Sequence, residues 1–312
     1  MGSESSKIAR TFAELRERAC QLGPKRVGVV MADDDVALTA ATEAMRAGIA
    51  NPVLIGEEKD IRARAEKLGF ADLNAKAEFV HAGHDIQEAA ALGVALAREG
   101  KIDILMKGHL RTDQLFQPVL DKEKGLRTGN LLADAAFFEH KTDQGTRLVC
   151  IIDGGLNPAP QLKHKKQIIL SAIEILRALG NSKPKIAVMS AVEVVSDAIQ
   201  STVDAKALTE MGQAGEFGEA EVFGPLALDN ALFDWAAKIK GITSPVAGHA
   251  DCLIVPSVEA GNFLGKAVCF LVGAEFGHVV VGAKTPILIP SRVEKAAEKV
   301  NAMALGVLYA CR

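Results

Sequence analysis

The stretch from Asp251 to Glu298 decides the fold and reads DCLIVPSVEAGNFLGKAVCFLVGAEFGHVVVGAKTPILIPSRVEKAAE. It holds three short apolar runs, CLIVP, HVVVGA and PILIP, which we interpret as buried strands. We expect an Ala-Gly-Asn turn after the first strand and a Ser-Arg pair after the last, each opening a helix. Ligands of α/β proteins bind at the carboxyl ends of strands, where helix amino termini offer free N–H groups to anions. The stretch therefore predicts an anion-binding edge.

The rest of the chain alternates apolar runs with helical patterns in the same way. Helical patterns lie at 87–98, 161–179, 203–212 and 229–239. The strand-like runs between and before them are RVGVVM, NPVLIGE, EFVHA, KIDILMKG, TRLVCIID, KIAVMS and EVFGP. This spacing predicts βαβ units and a mostly parallel sheet, that is, an α/β fold.

The polar segment HKTDQGT, at 140–146, predicts a domain boundary. With a second crossing near Pro290, the first domain comprises residues 1–144 plus 291–312 and the second comprises residues 145–290. A chain of 312 residues is long enough for two domains of ordinary size.

Composition argues against several classes of protein. The formal net charge is −3, so no nucleic-acid partner is expected, and the cluster KHKK at 163–166 is interpreted as a solvated helix start. No apolar run is long enough to span a membrane, and the first ten residues are polar, which together predict a cytoplasmic protein. The five cysteines form no Cys-x-x-Cys pair, and Cys150 and Cys252 are interpreted as buried reduced thiols.

Common cofactor and hydrolase motifs are missing from the sequence. Asp33 to Asp35 follow the first strand where a dinucleotide-binding protein would carry Gly-x-Gly-x-x-Gly. There is no P-loop and no Gly-x-Ser-x-Gly elbow. His81 and His84 are too few ligands for a metal site on their own, so no metal is predicted.

Several residues of the first half are candidates for binding an anion. Lys107 and Gly108 end an apolar strand, where a lysine can meet a phosphate; the alternative is a solvated loop lysine. Thr112 begins the next helical pattern, and its alternative role is helix capping. Arg127 and Thr128 lie between glycines that suggest a tight loop close to a ligand.

The second half offers further candidates within the opening stretch. Glu259, Gly261 and Asn262 follow a strand, and Lys266 adds positive charge one turn later; the alternative is a plain strand-to-helix turn. Ser291 and Arg292 start the last helical pattern. Ser291 with Glu294 matches a capping box, which would account for the serine but not for Arg292.

Longer motifs, in order and spacing, resemble the phosphate acetyl/butyryltransferase family, and its butyryltransferase branch most closely. The resemblance covers the chain from about Val27 to Leu308. The motifs that carry it are LMKGHLRTDQL, GLRTGNLLADAAFFE, DGGLNPAP, SAVEVV, GPLALDNA, GITSPVAGHADCLIVP, EAGNFLGK and GAKTPILIPSR.

The resemblance implies a fold and an activity. The implied fold has two three-layer αβα domains of the isocitrate/isopropylmalate-dehydrogenase-like type, with the last helix returning to the first domain, the active site in the cleft and a homodimer as the assembly. The implied reaction is acyl-CoA plus phosphate giving acyl phosphate plus CoA, with no permanently bound cofactor. A thiol with a pKa of roughly 8.5 is only slightly ionised at neutral pH, so a nearby base helps thiolate attack on the acyl phosphate.

The resemblance also implies roles for individual residues. Arg292 corresponds to an arginine that contacts the charge of the phosphate and the tetrahedral intermediate, and Ser291 to a serine that hydrogen-bonds the reacting centre. Arg127 falls in an Arg-Thr loop pair that binds phosphate. Two positions depart from the acetyltransferase branch: Glu298 stands where that branch has an Asp base, and Gln117 where it has an Arg.

Two alternatives remain open at the level of sequence. The first is a metal- and NAD-dependent dehydrogenase of the same fold, against which no suitable cluster of Asp ligands is visible. The second is a catalytically weak family member that binds CoA or acyl phosphate, which Gln117 favours because a neutral amide binds phosphate less well than a guanidinium does.

Overall fold

The structure is a computed structural model that describes residues 8–143 and 145–312. By its contacts the chain divides into two compact units. The first unit comprises Phe12–Asn130 and Gly277–Arg312, and the second comprises Leu131–Phe276 with the residues described before Phe12. The sequence places the divisions later, at 144/145 and 290/291. At the first of these, Thr142 pairs with Gly145 in an antiparallel pair of strands inside the second unit.

The first unit alternates strands with helices along the chain. Its first segment contains α1 (Phe12–Leu22), β1 (Lys25–Val30), α2 (Asp35–Arg46), β2 (Ala50–Gly56), α3 (Glu58–Lys67), α4 (Ala71–Lys76), β3 (Glu78–His81), α5 (Ile86–Arg98), β4 (Ile104–Lys107) and α6 (Thr112–Val119). The elements of the second unit follow, and their numbers run from β5 to β9 and from α7 to α11. The chain then returns with β10 (Phe276–Val281), β11 (Ile287–Leu288) and α12 (Ala296–Ala310).

The strands of the first unit lie in the order β3-β2-β1-β4-β11-β10. All neighbouring pairs are parallel except β10 with β11, which is antiparallel. Val30 pairs with Lys107, and Met106 pairs with Leu288. The carboxyl ends of β1, β4 and β11 therefore meet at one edge, and the antiparallel β10 begins there.

The last helix, α12, belongs to the core of the first unit. It contacts α1, α2, β4 and β11. Every residue from Lys299 to Tyr309 is buried, and Tyr309 is among the largest fully buried side chains. A helix that is apolar on all sides must be covered on all sides, which explains why it lies within the unit rather than on its surface.

The second unit contains β5 (Ala133–Thr142), β6 (Gly145–Ile152), α7 (Leu162–Ala178), β7 (Lys185–Met189), α8 (Gln200–Gln213), β8 (Glu221–Leu226), α9 (Leu228–Leu232), α10 (Asp234–Ile239), β9 (Cys252–Ile254) and α11 (Val258–Lys266). A π-helical segment, Ala267–Val272, continues α11. The strand order is β5-β6-β9-β7-β8, antiparallel between β5 and β6 and parallel elsewhere. Cys150 and Cys252 pair on β6 and β9 and are fully buried, as predicted.

The predicted fold class is confirmed, with differences in detail. The predicted apolar runs are strands, but β5 was not predicted. Its sequence, ADAAFFEHKT, is rich in residues with weak strand preference, and it is held in place by pairing with β6. The helical pattern at 229–239 is two short helices, because Phe233 between them has extended backbone angles.

The interpretation of KHKK as a solvated helix start is wrong for Lys165. This residue is buried on α7, and its Nζ lies 2.6 Å from Oδ2 of Asp204 on α8. The pair ties the two helices together beneath the surface. Within the described residues, none of the helices combines the length and apolar character needed to cross a membrane.

Candidate functional site

Polar side chains gather at the edge of the first unit where β1, β4 and β11 end. Lys107 is the last residue of β4, and Ser291 follows β11 by three residues. Asp34 follows β1 and caps α2 by accepting hydrogen bonds from the N–H groups of Val36 and Ala37. The parallel pairing of these strands brings the three positions to the same edge, as the sequence predicts for an α/β protein.

Gly108 lets the chain pass close to the end of β1. A side chain on this residue would place its Cβ 2.3 Å from the carbonyl oxygen of Met31 and 2.6 Å from that of Val30. Only glycine fits such an approach. The backbone N–H of Gly108 donates to Val30 O, and that of His109 to Met31 O. The geometry therefore gives Gly108 a packing role at this edge, and its predicted part in ligand binding stays a prediction.

The segment around Ser291 is a turn, not the first turn of a helix as predicted. The N–H of Ser291 donates to Glu294 Oε1 at 2.9 Å, and the N–H of Glu294 donates to Ser291 O at 3.1 Å. The helix α12 starts only at Ala296, with Lys295 as its N-cap residue. The predicted capping role of Ser291 is therefore wrong, although the pairing of Ser291 with Glu294 exists in the turn.

Two lysines are buried beneath this turn. Lys107 and Lys299 each expose 4% of their surface. Lys107 Nζ donates to Leu110 O at 3.3 Å, and Lys299 Nζ donates to Ser291 O at 3.4 Å. Burial lowers the pKa of both lysines; the positive charges of Lys299 and Arg292 lower the pKa of Lys107 further. The site thus holds cationic groups with little water around them.

A buried carboxylate, Glu294, faces these lysines. Burial raises its pKa, but the nearby His278 and the N–H of Ser291 outweigh that effect, so the pKa lies below the usual value for a glutamate. His278, on β10, has its Nε2 3.5 Å from Glu294 Oε1. Glu294 is therefore ionised at neutral pH and offsets part of the positive charge.

Arg292 and Glu298 lie on the more open side of this group. Arg292 is exposed in the turn, where its guanidinium is accessible to a ligand. Glu298 is half-buried, and its carboxylate accepts a hydrogen bond from the N–H of Lys295, which closes a capping box at the start of α12. Glu298 therefore already has a structural partner. Its predicted role as a base stays a prediction.

The other candidates of the first unit lie on two neighbouring segments. Arg127 is exposed and forms an isolated bridge with Ala283, and Thr128 Oγ1 donates to Gly282 O at 2.6 Å. Thr112 opens α6 as predicted but does not cap it, because the N-cap residue is Arg111, whose N–H donates to Gln114 Oε1. Gln117 is exposed on the same helix.

The candidates of the second unit lie on α11, and the predicted Ala-Gly-Asn turn is wrong. Glu259, Gly261 and Asn262 are inside the helix, which begins at Val258 with Ser257 as its N-cap. A Cβ on Gly261 would lie 2.7 Å from the Cα of Gly154, so this glycine permits close packing of the helix on a loop. Glu259, Asn262 and Lys266 are exposed.

The loop beneath α11 is organised by Asp153, which follows β6. Its carboxylate accepts hydrogen bonds from the backbone N–H groups of Asp134, Gly155, Leu156 and Asn157. Burial raises the pKa of Asp153, and the negative charge of Asp134 raises it further. Asn262 Nδ2 donates to Gly154 O at 3.3 Å and fastens the helix to this loop. These contacts give the motif DGGLNPAP a structural role.

Sequence reasoning missed Lys299, Glu294 as a buried charge, His278 and Asp34. Each lies in a pattern that reads as an ordinary helix, turn or strand. The signal available in the sequence was a lysine and a histidine within otherwise apolar segments, HVVVGA and KVNAMALGVLYA. In the part of the chain that the structure describes, no group of three His, Cys, Asp or Glu side chains could hold a metal ion.

Comparison with known proteins decides the family. The sequence pattern of the phosphate acetyl/butaryl transferase family matches residues 70–307. The chain belongs to this family. The segment that matches includes β4, α6, the loop at Arg127, α11 and the turn at Ser291, so both the first and the second unit contribute residues to the family pattern.

Individual relatives of the phosphate acetyl/butaryl transferase family match almost the whole chain. A phosphate acetyltransferase of Rhizobium meliloti is 38% identical over 99% of this chain and 95% of its own length. A phosphate butyryltransferase of Clostridium acetobutylicum is 36% identical over 97% of this chain and 99% of its own length. The solved structure of a branched-chain phosphotransacylase from Enterococcus faecalis V583 superposes with a TM-score of 0.80 at 27% identity and covers 92% of this chain and 99% of its own. The predicted class of enzyme, an acyltransferase of this family, is confirmed.

Proposed function

We propose that this enzyme moves a short-chain acyl group between CoA and inorganic phosphate. The observation that carries the proposal is the convergence of Lys107 and Arg292 on one edge of the first unit, in a chain of the phosphate acetyl/butaryl transferase family. Cations in a site with little water bind a phosphate and an oxyanion far more strongly than they would in bulk solvent.

Arg292 supplies the main contact with the transferred phosphate. Its guanidinium is exposed, and its planar fork of donors suits a bidentate interaction with phosphate oxygens. Lys107 adds a second cationic group, whose position is fixed by burial and by its hydrogen bond to Leu110 O. In the direction of acyl-CoA synthesis, the thiolate of CoA attacks the carbonyl carbon of the acyl phosphate, and phosphate leaves. The same cations stabilise the negative charge that builds up in the tetrahedral intermediate within a ternary complex.

A base is needed because the CoA thiol is mostly protonated at neutral pH. Glu298 is the residue that we propose for this role. Its carboxylate accepts the hydrogen bond from the N–H of Lys295 at the start of α12, and the residue is only half-buried. Ser291 is proposed to donate a hydrogen bond to the reacting centre.

CoA is proposed as a substrate rather than a bound cofactor. The second unit offers Glu259, Asn262 and Lys266 on the exposed face of α11, and the first unit offers Arg127 and Thr128. Among these, Lys266 and Arg127 are the cations that suit the phosphates of CoA or inorganic phosphate.

A phosphate-dependent CoA-release assay tests the proposal. Purified enzyme is given acetyl-, propionyl-, butyryl- or branched-chain acyl-CoA with and without phosphate, and free thiol is measured. We expect release only with phosphate, and we expect Arg292→Ala to lower kcat/KM on the order of 100-fold or more because a charge contact in the transition state is lost. Lys59→Met, at an exposed position of α3, serves as the control and should leave the rate unchanged.

Absence of phosphate-dependent release with every acyl-CoA would overturn the proposal. Tight CoA binding without turnover would instead favour a binding protein, the alternative that Gln117 suggests. In that case Gln117→Arg should introduce activity or tighten phosphate binding, since a guanidinium replaces a neutral amide at an exposed position of α6.

A further inference from the structure

The backbone of Ser291 is held from both sides by two buried side chains, those of Glu294 and Lys299. Its N–H donates to Glu294 Oε1 at 2.9 Å, and its carbonyl oxygen accepts from Lys299 Nζ at 3.4 Å. The N–H of Glu294 returns a hydrogen bond to the same carbonyl oxygen at 3.1 Å. Three hydrogen bonds therefore fix the backbone N–H and carbonyl of Ser291, the residue that immediately precedes Arg292.

Both side chains that contact the backbone of Ser291 are buried. Glu294 exposes 8% and Lys299 4% of its surface. Burying a charge costs free energy, and well-packed apolar residues would hold a helix to a sheet at least as well. Packing alone therefore does not account for two buried charges at this place, whereas the need to fix a functional turn does.

We propose that Glu294 and Lys299 are positioning residues that fix the backbone of Ser291 and thereby aim the guanidinium of Arg292 at the transferred phosphate. This inference rests on the proposed function. Neither residue is proposed to contact the substrate, because both side chains are buried beneath the turn. They act through Arg292.

Other polar and charged groups surround the pair. His278 from β10 lies 3.5 Å from Glu294, and Asp34 at the start of α2 acts electrostatically on both Lys299 and Lys107. Lys107, from β4, adds a positive charge to the same group. Side chains from β4, β10 and the start of α2 thus lie around the pair, which ties the orientation of the turn to the sheet.

Small errors in orientation have large kinetic effects. A catalytic group displaced by about 1 Å can lower a rate on the order of 100-fold, although the group itself is unchanged. Loss of Glu294 or Lys299 should therefore lower kcat more than it changes the affinity for acyl-CoA.

The test measures kcat and KM for Glu294→Ala, Glu294→Gln, Lys299→Met and Lys299→Arg. We expect Glu294→Ala and Lys299→Met to lower kcat about 10- to 100-fold, with KM for acyl-CoA changed less than about threefold. Glu294→Gln keeps an oxygen for the Ser291 N–H, and Lys299→Arg keeps a donor for its carbonyl. Both conservative variants should recover most of the rate.

A double-mutant cycle distinguishes positioning from a general structural role. Glu294→Ala and Lys299→Met are repeated in the Arg292→Ala background. If they act through Arg292, each should then lower kcat by less than about threefold, because the group that they aim is missing. Thr42→Val is the matched control: its buried hydroxyl donates to Leu38 O at 2.7 Å on α2, and its loss should affect thermal stability but not kcat.

Three results would overturn the inference while the proposed function stands. The first is a wild-type kcat in both Glu294→Ala and Lys299→Met, and the second is an equal loss of rate in the presence and absence of Arg292. The third is a Lys299→Arg variant that is as inactive as Lys299→Met. This comparison still tests the inference if Glu294→Ala does not fold. A wild-type enzyme that releases no CoA with phosphate would overturn the proposed function itself.

Discussion

At the scale of single residues, the notable feature is a pair of lysines with almost no access to water. Lys107 and Lys299 lie together with Glu294 under the Ser291 turn. A lysine that loses its hydration shell favours the neutral form, and a second cation nearby adds to that effect. Burial of these lysines therefore lowers the stability of the folded protein. A negatively charged ligand bound at this edge would offset part of that loss.

This loss of stability predicts that Lys107→Met is more stable and less active than the wild type. The pKa of Lys107 is lowered in the folded state, so the unfolded chain binds more protons between the folded pKa and about 10.4. The loss of stability caused by burying the charged Lys107 side chain is fully present below the folded-state pKa. It decreases as pH rises towards the pKa of the unfolded chain. We expect Lys107→Met to gain on the order of 1 kcal/mol at neutral pH, from removal of a poorly compensated buried charge.

Thermal unfolding between neutral pH and pH 10 checks this prediction, and the gain should shrink as pH rises. The KM for phosphate should increase about tenfold because a phosphate-binding charge is lost. Lys59→Met, at an exposed position, should change stability by less than about 0.5 kcal/mol at any pH. A variant less stable than the wild type at neutral pH would contradict the argument.

At the scale of elements, two glycines of α11, Gly261 and Gly265, lie in different surroundings. Gly261 faces the loop after β6, where a Cβ would lie 2.7 Å from Gly154 Cα and 3.0 Å from Asp153 O. Gly265, one turn later, would place its Cβ 3.8 Å from the ring of Phe276, an ordinary contact distance. Only the first glycine is required by packing.

Replacing each glycine by alanine tests this difference within one helix. Gly261→Ala should destabilise the protein by about 1–3 kcal/mol, because the added methyl group meets backbone that cannot move aside easily. Gly265→Ala should be neutral or stabilising by up to about 1 kcal/mol, because alanine favours helix. Denaturant unfolding measures both, and an equal response of the two variants would argue against close packing at Gly261.

The elements themselves were largely predictable, and the site was predictable only in part. Runs such as KIDILMKG and KIAVMS are buried strands because they hold short continuous stretches of apolar residues. The strand β5 was not predictable, since its pairing with β6 overrides weak local preference. Lys107 and Arg292 were found from their places at strand ends. Lys299 and Glu294 were not, because their burial results from the packing of α12, which local sequence does not reveal.

At the scale of the whole molecule, one group of exposed apolar residues lies on α11 and in the π-helical segment that continues it. Leu271 exposes 85% and Val272 74% of its surface, and Phe270 and Phe263 are exposed beside them. Apolar surface of this kind commonly marks a protein–protein contact. It fits the homodimer expected from the family resemblance, which we retain as a proposal.

The oligomeric state checks that proposal directly. Light scattering coupled to size-exclusion chromatography should give a dimer for the wild type and a smaller species for Leu271→Glu, because a charge in an apolar interface is costly to bury. Ile239→Glu, at a similarly exposed apolar position on α10, is the control and should remain dimeric. A monomeric wild type would show that the homodimer prediction is wrong.

The position of α12 has a consequence for synthesis on the ribosome. This helix is made after the other described elements, yet it supplies part of the core against α1, α2 and β4, which are made early. The second unit is complete once residue 276 has been added, whereas the first cannot close its core until about residue 310. We therefore expect the second unit to fold first, and the first unit, which contains both α1 and α12, to depend longest on protection from aggregation.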